Sequence, residues 1–321
     1  MTTLVTGGAG YIGAHVVRAL EAVGRETVIV DDLSADRAHS PAGPANRIDL
    51  ASTDAAEALE LLMRERGVTS VVHLAARKSV AESVARPAWY FQQNVGGLST
   101  LLLAMERAAV PTLVFSSSAA VYGEAPLEPI TEDAPAEPVN PYGDSKLVGE
   151  RLVRWAVASG ALRAASLRYF NVAGTASADL VDTGTANLIP LALGAIARGE
   201  RPTVFGDDYP TPDGTCVRDY VHVADLAEAH VAVLDALESG REISPVFNVG
   251  TGSGSSVREV IERAAAITGL PIEPLHAPRR AGDPPAVVGD VSLIARELGW
   301  HARLGLDDML RSAWDARPAA D

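Results

Sequence analysis

The sequence contains only one cysteine, Cys216, in 321 residues. A single thiol cannot form a disulfide within the chain, which fits the reducing conditions of the cytosol. Because there is no second cysteine, a metal centre built on several thiolates is disfavoured, and we expect no bound metal. Cys216 is interpreted as an ordinary thiol of the core or of a loop.

Long apolar runs and an excess of basic residues are also missing. No stretch reaches the ~20 uninterrupted apolar residues that span a bilayer, and the first residues lack the cationic region and cleavage site of an export signal. The net charge of −14 disfavours nucleic acid or an anionic membrane as the main partner. We therefore expect a cytoplasmic protein that binds a small molecule, with no nucleic-acid or membrane partner.

Short apolar segments alternate with helix-length amphipathic segments along most of the chain. The strand-like segments are residues 4–6, 28–30, 71–74, 113–115 and 166–169. Short buried strands separated by helices predict a parallel sheet that is covered on both faces. Right-handed crossovers make this a doubly wound α/β, or Rossmann, fold.

The character of the sequence changes after about residue 171. Proline and glycine become common in residues 199–214 and 271–285, which is typical of loops. We expect residues 1–172 to form the Rossmann domain and residues 173–321 to form a smaller, interleaved substrate lobe. Segments near 218–250 are expected to return to the first domain, including a late strand at 247–250.

A glycine-rich segment follows the first strand and opens a helix. Gly7, Gly10 and Gly13 have the spacing G-x-x-G-x-x-G. In this context Gly7 permits a sharp turn, Gly10 lets the backbone approach a pyrophosphate, and Gly13 allows close contact between helix and strand. Free amides at the helix N-terminus attract phosphate. The segment predicts a dinucleotide-binding loop.

Acidic residues near this loop indicate which dinucleotide binds. Asp31 ends the second strand, where a carboxylate hydrogen-bonds the adenosine ribose and disfavours a 2′-phosphate, so that NAD is expected before NADP. Asp49 can meet the adenine amino group, and Asp32 has capping of the following turn as its alternative role. Arg37 weakens the preference for NAD slightly.

Tyr142 and Lys146 are a candidate catalytic pair. Asn140 suits a helix N-cap and Pro141 the first helical position, so the pair is predicted to lie on one helix. Residues four apart share a helix face. A nearby cation favours ionisation of a phenol, whose pKa is ordinarily ~10. Tyr142 is therefore a candidate base, although the same spacing also occurs on ordinary helix surfaces.

Five further segments resemble a known family. The chain resembles the extended short-chain dehydrogenase/reductase superfamily and, within it, is similar to the UDP-glucose (UDP-galactose) 4-epimerase family. The matching segments are residues 115–123 (FSSSAAVYG), 140–146 (NPYGDSK), 167–171 (LRYFN), 208–222 (DYPTPDGTCVRDYVH) and 277–283 (APRRAGD). The resemblance implies an isomerase with tightly bound NAD. Such an enzyme interconverts UDP-glucose and UDP-galactose reversibly at C4 through a 4-keto sugar.

The resemblance also implies roles for individual residues. Tyr142 would be the base, Lys146 would lower its pKa and hold the nicotinamide ribose, and Ser118 would bond the sugar hydroxyl or relay its proton. The implied cofactor contacts are Gly7, Gly10, Tyr11, Ile12, Gly13, Asp31, Asp32, Asp49, Leu50, Leu74, Ala75, Ala76, Lys78, Asn94, Tyr142, Lys146 and Phe170. The implied UDP-hexose contacts are Lys78, Ser118, Tyr142, Asn171, Asn187, Leu188, Thr203, Phe205, Arg218, Arg280, Asp283 and Val287.

Within the substrate set, Arg218 and Arg280 would grip the diphosphate, which suits guanidinium geometry. Phe205 would lie near the uracil, and Asp283 would bond a hydroxyl of the uridine ribose. Helices near 95–109 and 146–158 resemble those that pair two subunits in this superfamily, so a homodimer is expected.

Other functions remain open at this point. Dehydratases place an Asp-Glu pair where this chain has Ala119 and Ala120, which favours epimerisation. A UDP-pentose 4-epimerase, a decarboxylase and an inert NAD-binding regulatory protein are the remaining alternatives. The last of these is disfavoured because Ser118, Tyr142 and Lys146 occur together.

Val287 stands where a bulky tyrosine often narrows the sugar pocket of related epimerases. A smaller residue leaves room for a 2-acetamido group, so activity on UDP-N-acetylglucosamine is also expected. The alternative is that neighbouring loops refill the space, since a small difference in a pocket supplies only ~1–3 kcal/mol of discrimination.

Overall fold

The computed structural model describes residues 1–34, 45–124, 129–182, 184, 187–270, 272–280 and 283–317. Arg37, named above for its effect on the NAD preference, lies outside these ranges. Residues 281 and 282 of the segment 277–283 also lie outside them.

The strands and helices of the described residues follow one another along the chain. The strands are β1 (Thr2–Thr6), β2 (Glu26–Asp31), β3 (Asn46–Arg47), β4 (Val68–His73), β5 (Thr112–Ser116), β6 (Arg163–Tyr169), β7 (Asn171–Ala173), β8 (Thr203–Phe205), β9 (Val217–His222), β10 (Val246–Val249), β11 (Gly254–Ser256), β12 (Leu275–Ala277) and β13 (Ala286–Val287). The helices are α1 (Tyr11–Ala22), α2 (Ala55–Glu65), α3 (Val80–Ala85), α4 (Pro87–Phe91), α5 (Gly97–Ala108), α6 (Pro141–Ala158), α7 (Leu188–Ala197), α8 (Val223–Glu238), α9 (Val257–Thr268), α10 (Ser292–Leu298) and α11 (Leu306–Asp315).

Seven strands form one parallel sheet in the order β10-β6-β5-β4-β1-β2-β3. The residues of β1 and β5 are all buried, as expected for central strands covered on both faces. One face packs in an apolar cluster with α1 and α8, and the other packs with α2 and α5. The doubly wound fold predicted from the sequence is confirmed, together with all five predicted strands.

The order of the strands reverses at β1 and β4. Chains that leave the carboxyl ends of these two strands therefore turn to opposite faces of the sheet, which opens a crevice between them. The glycine-rich loop follows β1 and lies at this crevice. The topology thus places a binding site at the residues that carry the dinucleotide motif.

The second lobe is built on β9. This strand pairs with β7 and β13 in parallel and with β11 in antiparallel orientation, while β8 and β12 form a separate parallel pair. Helices α7, α9 and α11 pack around a small apolar cluster. Between β9 and β11 the chain returns to the first domain, because α8 packs on α1 and β10 pairs with β6. No helix among the described residues is both long and apolar enough to cross a membrane.

Candidate active site

The loop after β1 turns sharply at Gly7, whose φ is +70°. A Cβ on Gly7 would lie 2.7 Å from the backbone N of Ala75, and a Cβ on Gly13 would lie 2.0 Å from the Gly7 carbonyl oxygen. Only glycine fits at either position. Gly13 therefore permits close contact between α1 and the loop, whereas the sequence analysis expected it to serve contact between helix and strand.

A cavity of about 540 Å³ opens beside this loop. Its lining contains almost the whole implied cofactor set: Gly7, Gly10, Tyr11, Ile12, Gly13, Asp31, Asp32, Asp49, Leu50, Leu74, Ala75, Ala76, Lys78, Asn94, Tyr142 and Lys146. Phe170 is the exception, since it packs with Val121, Tyr122, Ile130 and Leu147 in a neighbouring apolar cluster. The structure thus brings the glycine loop and the Tyr142–Lys146 pair to one cavity.

The acidic residues of the cavity are held by backbone amides. The two carboxylate oxygens of Asp31 accept hydrogen bonds from the amides of Ala9 (3.1 Å) and Leu33 (2.9 Å), and burial raises the pKa of this group. Asp32 accepts from the amide of Ser34 at 3.0 Å, which is the turn-capping role considered above. Asp49 caps a turn in the same way by accepting from the Ala51 amide at 2.9 Å.

Helix α6 carries the candidate base. Its N-cap, Asn140, accepts a hydrogen bond from the amide of Gly143 at 2.9 Å, and Pro141 is its first residue, as predicted. The Nζ of Lys146 is buried, donates to the carbonyl oxygen of Ser116 at 2.8 Å and lies 5.3 Å from the centre of the Phe115 ring. Burial lowers the pKa of Lys146 to about 8, against the opposing effect of the Glu150 charge.

The phenol of Tyr142 is acted on by two effects of opposite sign. Burial raises its pKa above the ordinary value, and a hydrogen bond with Ser118 lowers it. The net pKa is raised, and the effect of the Lys146 charge on this phenol stays a prediction. The ammonium is itself buried and donates to the Ser116 carbonyl, and the group that assists Tyr142 is Ser118.

Each serine of the run 116–118 has a different polar partner. The hydroxyl of Ser116 lies 3.1 Å from Nε2 of His230, and the hydroxyl of Ser117 donates to Oε1 of Glu150 at 2.5 Å. Ser118 caps the 3₁₀ turn 119–122 by accepting from the Ala120 amide at 3.2 Å and also bonds Tyr142. The three side chains hold the end of β5 in place, and Ser118 reaches the phenol from there.

The residues assigned to the UDP-hexose lie mainly in the second lobe, outside the lining of this cavity. Arg218 pairs with Asp283 at 3.2 Å and lies opposite Val287 in the β9–β13 pairing. The guanidinium of Arg280 lies 3.9 Å from the centre of the Phe205 ring. The structure thus brings four of the assigned residues together as two pairs, Arg218 with Asp283 and Arg280 with Phe205.

The other assigned substrate residues occupy the ends of secondary-structure elements. Asn187 directly precedes α7 and donates to Oδ2 of Asp182, a cavity residue, at 2.9 Å, and Leu188 begins that helix. Thr203 begins β8, and Asn171 begins β7 directly after Phe170. Lys78 and Tyr142 are the assigned substrate residues that also line the cavity.

Several cavity residues were missed by the sequence analysis. They are Arg77, Gln93, Tyr169 and Asp182, among others. Arginine, glutamine and aspartate are common on protein surfaces and belong to no motif here, so no signal in the sequence marked them. Tyr169 is the last residue of β6 and lies in the LRYFN segment, and its place in that segment was the only available signal.

The residues fit a nicotinamide dinucleotide. The glycines leave no room for side chains between the loop and its neighbours, and Asp31 ends β2 at the cavity. A cavity of this volume lies within the ~300–1,000 Å³ typical of ligand pockets. Among the described residues, no group of three His, Cys, Asp or Glu side chains could hold a metal ion.

The model of the NAD dependent epimerase/dehydratase family matches residues 3–250. The chain belongs to this family. It is 47% identical over 320 residues to the UDP-glucose 4-epimerase of Azospirillum brasilense, with 97% of this chain and 90% of that protein covered.

Solved structures support the same assignment. One is the UDP-glucose 4-epimerase of Stenotrophomonas maltophila with bound NAD and formylated UDP-arabinopyranose; it has 42% identity and a TM-score of 0.92, and 98% of this chain and 97% of that chain are covered. A second is the UDP-glucose 4-epimerase of Bifidobacterium longum in complex with NAD+ and UDP. It has 40% identity and a TM-score of 0.88, with 98% of each chain covered.

Proposed function

We propose that this protein is an NAD-dependent isomerase that interconverts UDP-glucose and UDP-galactose at C4. The observation that carries the proposal is that Tyr142 and Lys146 line the cavity of the glycine-rich loop together, with Ser118 lowering the pKa of the Tyr142 phenol. A base, a hydroxyl relay and a buried ammonium are thus grouped where a dinucleotide fits. Relatives named UDP-glucose 4-epimerase at 47% identity support this choice of reaction.

The chain's own groups account for the proton transfers. Tyr142 as the phenolate would accept the proton of the C4 hydroxyl, directly or through Ser118; loss of this proton together with the hydride on C4 gives the 4-keto sugar. When bound, NAD supplies reversible hydride transfer at C4 and a positive ring that favours the phenolate. Tyr142 later returns the proton to the opposite epimer. The ammonium of Lys146 stabilises the negative charge while the phenol is ionised.

Inversion requires that the sugar turn over while the rest of the substrate stays in place. Arg218 and Arg280 are assigned to the diphosphate, with Phe205 and Asp283 at the uridine end. Anchoring the remote diphosphate lets binding energy orient the substrate and leaves the pyranose free to rotate. Asp283 partly neutralises the charge of Arg218. Arg280, which stacks on Phe205, is therefore the arginine whose charge is more available to the diphosphate.

Proton NMR of the purified protein with UDP-galactose tests the proposal. We expect the signals of UDP-glucose to appear without added NAD, because the cofactor is regenerated in each turnover. Elimination of water would indicate a dehydratase, whereas a decarboxylase would leave UDP-galactose unchanged and release carbon dioxide from a UDP-uronic acid. If UDP-galactose stays unchanged even when NAD is supplied, the proposed function is wrong.

We further propose that the sugar pocket accepts a 2-acetamido group. Val287 packs at the edge of the apolar cluster that contains Phe170, and its small side chain supports the inference of extra space. Incubation with UDP-N-acetylglucosamine should yield its C4 epimer, and Val287→Tyr should lose this activity and keep the activity on UDP-galactose. Conversion of UDP-galactose alone by the wild type would contradict the proposal.

UDP-pentoses are a second candidate substrate class. The observation that favours them is the relative from Stenotrophomonas maltophila, whose crystal structure contains a formylated UDP-arabinopyranose. UDP-xylose and UDP-arabinopyranose should therefore be included in the same NMR assay, and the ratio of kcat/KM values would rank the two classes.

We also propose a homodimer in the cytoplasm. Leu103 on α5 and Trp155 on α6 are 46% and 76% exposed, although both are large and apolar. Both lie on the helices that resemble those pairing two subunits in this superfamily, which supports a surface that a partner covers. Light scattering at micromolar concentration should give twice the monomer mass, and Trp155→Glu should give the monomer. The single, buried Cys216 suits a reducing compartment.

A further inference from the structure

Arg77 joins two loops at the cavity through its side chain. Its Nη2 donates to Oδ2 of Asp32 at 2.5 Å, and its Nη1 donates to the hydroxyl of Ser34. Nε and Nη2 lie 3.3 and 3.2 Å from Oε1 of Gln93, and the guanidinium lies 5.4 Å from the centre of the Trp89 ring. Four side chains from two separate segments therefore hold this one group.

The backbone of Arg77 is held as firmly as its side chain. The amide of Arg77 donates to Oδ1 of Asn94 at 2.8 Å, and its carbonyl accepts from Nδ2 of Asn94 at 3.0 Å. Asn94 also donates to the hydroxyl of Ser145 on α6 at 3.0 Å. These bonds fix the backbone of Arg77, and the fold therefore determines that its side chain extends toward Asp32.

The position of the ion pair follows from the strand order. Asp32 follows β2 and Arg77 follows β4, and these strands lie on either side of β1. Strands in a sheet are ~4.8 Å apart, so the pair spans ~10 Å above the loop that ends β1. Both side chains line the cavity and are 27% exposed, which places the pair at its opening.

Asp32 keeps its charge under ordinary conditions. Burial raises the pKa of its carboxyl, but the hydrogen bonds from Ser34 and the charge of Arg77 outweigh this effect and hold the pKa below its usual value. A half-buried pair with several hydrogen bonds is screened less by solvent than an exposed one. The contact therefore persists at neutral pH.

We propose that the Asp32–Arg77 pair is a clasp across the opening of the dinucleotide cavity and controls the release of NAD. The inference rests on the proposed function in that NAD is the ligand of this cavity. A dinucleotide that lies along the glycine loop passes beneath the pair, so the pair must open before the ligand leaves. Neither residue meets the reacting carbon; Arg77 is a positioning residue, and Asp32 is also an implied cofactor contact.

The release rate of NAD from the purified protein tests the clasp. Dilution into an NAD-consuming dehydrogenase and its alcohol reports release as absorbance at ~340 nm from the reduced nicotinamide. Arg77→Gln and Asp32→Asn should each release NAD about tenfold faster, the factor that corresponds to ~1.4 kcal/mol. The double variant should release it no faster than the faster single variant, because both changes break the same contact.

Arg86→Ala is the matched control. Arg86 also stacks on Trp89, at 3.9 Å, but it directly follows α3 and its ion pair with Glu82 of that helix joins no second loop. This variant should release NAD at the wild-type rate. A tenfold effect in Arg86→Ala would show that the stacking on Trp89, and not the clasp, matters.

The outcomes separate the clasp from the proposed function. Unchanged or slower release in Arg77→Gln overturns the clasp, as does multiplication of the two single effects in the double variant. If these variants still convert UDP-galactose, the proposed function stands. A wild-type protein that neither binds NAD nor converts UDP-galactose would overturn both.

Discussion

At the scale of single residues, the chemistry depends on what surrounds the Tyr142 phenol. Burial by itself would keep the proton on the oxygen, and the hydrogen bond with Ser118 opposes it. The Lys146 ammonium lies in the same buried region and is fixed to the Ser116 carbonyl. The reactive state of Tyr142 is therefore set by one hydrogen bond and by the charges that share its cavity.

Replacing Tyr142 with phenylalanine should lower kcat by ~10²–10⁴-fold, because the variant has no group to accept the C4 proton. The shape of the site is kept, so NAD content and the KM for UDP-galactose should change little. Tyr90→Phe is the control, since Tyr90 is buried in α4 and does not line the cavity. Near-normal turnover in Tyr142→Phe would show that another group is the base.

Ser118→Ala should move the pH dependence of turnover. The hydrogen bond with Ser118 lowers the pKa of Tyr142, so its removal raises that pKa. Activity requires the phenolate and rises with pH through this pKa. The rising limb of kcat against pH should therefore shift to higher pH, and the loss should be larger at pH 6 than at pH 9. A uniform loss at all pH values would mean that Ser118 does not act on the phenol.

The sequence predicted most of the cofactor side of this site, because those residues lie in local motifs. Gly7 and Asp31 occupy positions that the turn and the strand end determine within a short stretch of chain. Arg77 was missed because its partners Asp32 and Gln93 are brought to it only by the strand order. Phe170 was assigned to the cofactor, which stays a prediction; its packing against Gly289, a contact 119 residues away in sequence, is one that no local pattern reveals.

At the scale of elements, α6 presents charged groups to the interior. Glu150 lies one turn after Lys146, and its carboxylate accepts from Nε (2.8 Å) and Nη2 (2.6 Å) of Arg168 on β6. It also accepts from Ser117 at the end of β5. The Glu150 carboxylate thus joins the helix to two strands, to β6 through the ion pair and to β5 through Ser117. The side chains of Glu150 and Arg168 are 3% and 7% exposed.

Glu150→Gln should lower the free energy of unfolding by ~3–5 kcal/mol, since it leaves a buried guanidinium without its counter-charge. Denaturant titration measures this loss. Glu259→Gln is the control, because Glu259 forms an exposed pair with Arg263 within one helix, worth ~0.3–0.5 kcal/mol. Equal effects of the two substitutions would contradict the structural role of the buried pair.

At the scale of the whole molecule, Asp219 joins the two lobes. Its carboxylate, on β9, accepts hydrogen bonds from the amides of Thr251 (2.8 Å) and Gly252 (3.1 Å) after β10, and from the amide of Gly289 (3.2 Å) after β13. Asp219 is fully buried. One carboxylate therefore connects the main sheet, through the turn after β10, to the strands that carry Arg218.

The sequence could predict the doubly wound sheet but not this junction. Alternation of strands and helices is a local pattern, whereas the pairing of β9 with β13 depends on segments about 70 residues apart. The return of the chain to β10 was visible as an apolar strand pattern at 247–250. Its connection through Asp219 was not, because a lone aspartate between an arginine and a tyrosine is compatible with many environments.

Asp219→Asn should separate substrate binding from cofactor binding. The amide keeps the shape but replaces an acceptor oxygen with a donor group, so at least one of the buried backbone amides loses its partner, at a cost of ~1–3 kcal/mol. The second lobe should then hold Arg218 and Val287 less firmly against the main sheet. We expect the KM for UDP-galactose to rise several-fold, while NAD release stays at the wild-type rate because nearly all the residues that line its cavity lie in the first domain.

Asp307→Asn is the control for this prediction, because Asp307 forms an exposed ion pair with Arg263 away from the junction. Its KM should match that of the wild type. Faster NAD release in Asp219→Asn, with no change in KM, would show that the junction supports the dinucleotide cavity instead. The KM for UDP-galactose reports on substrate binding and the release rate reports on NAD binding. Comparing the change in KM with the change in release rate therefore identifies which lobe the Asp219 carboxylate positions.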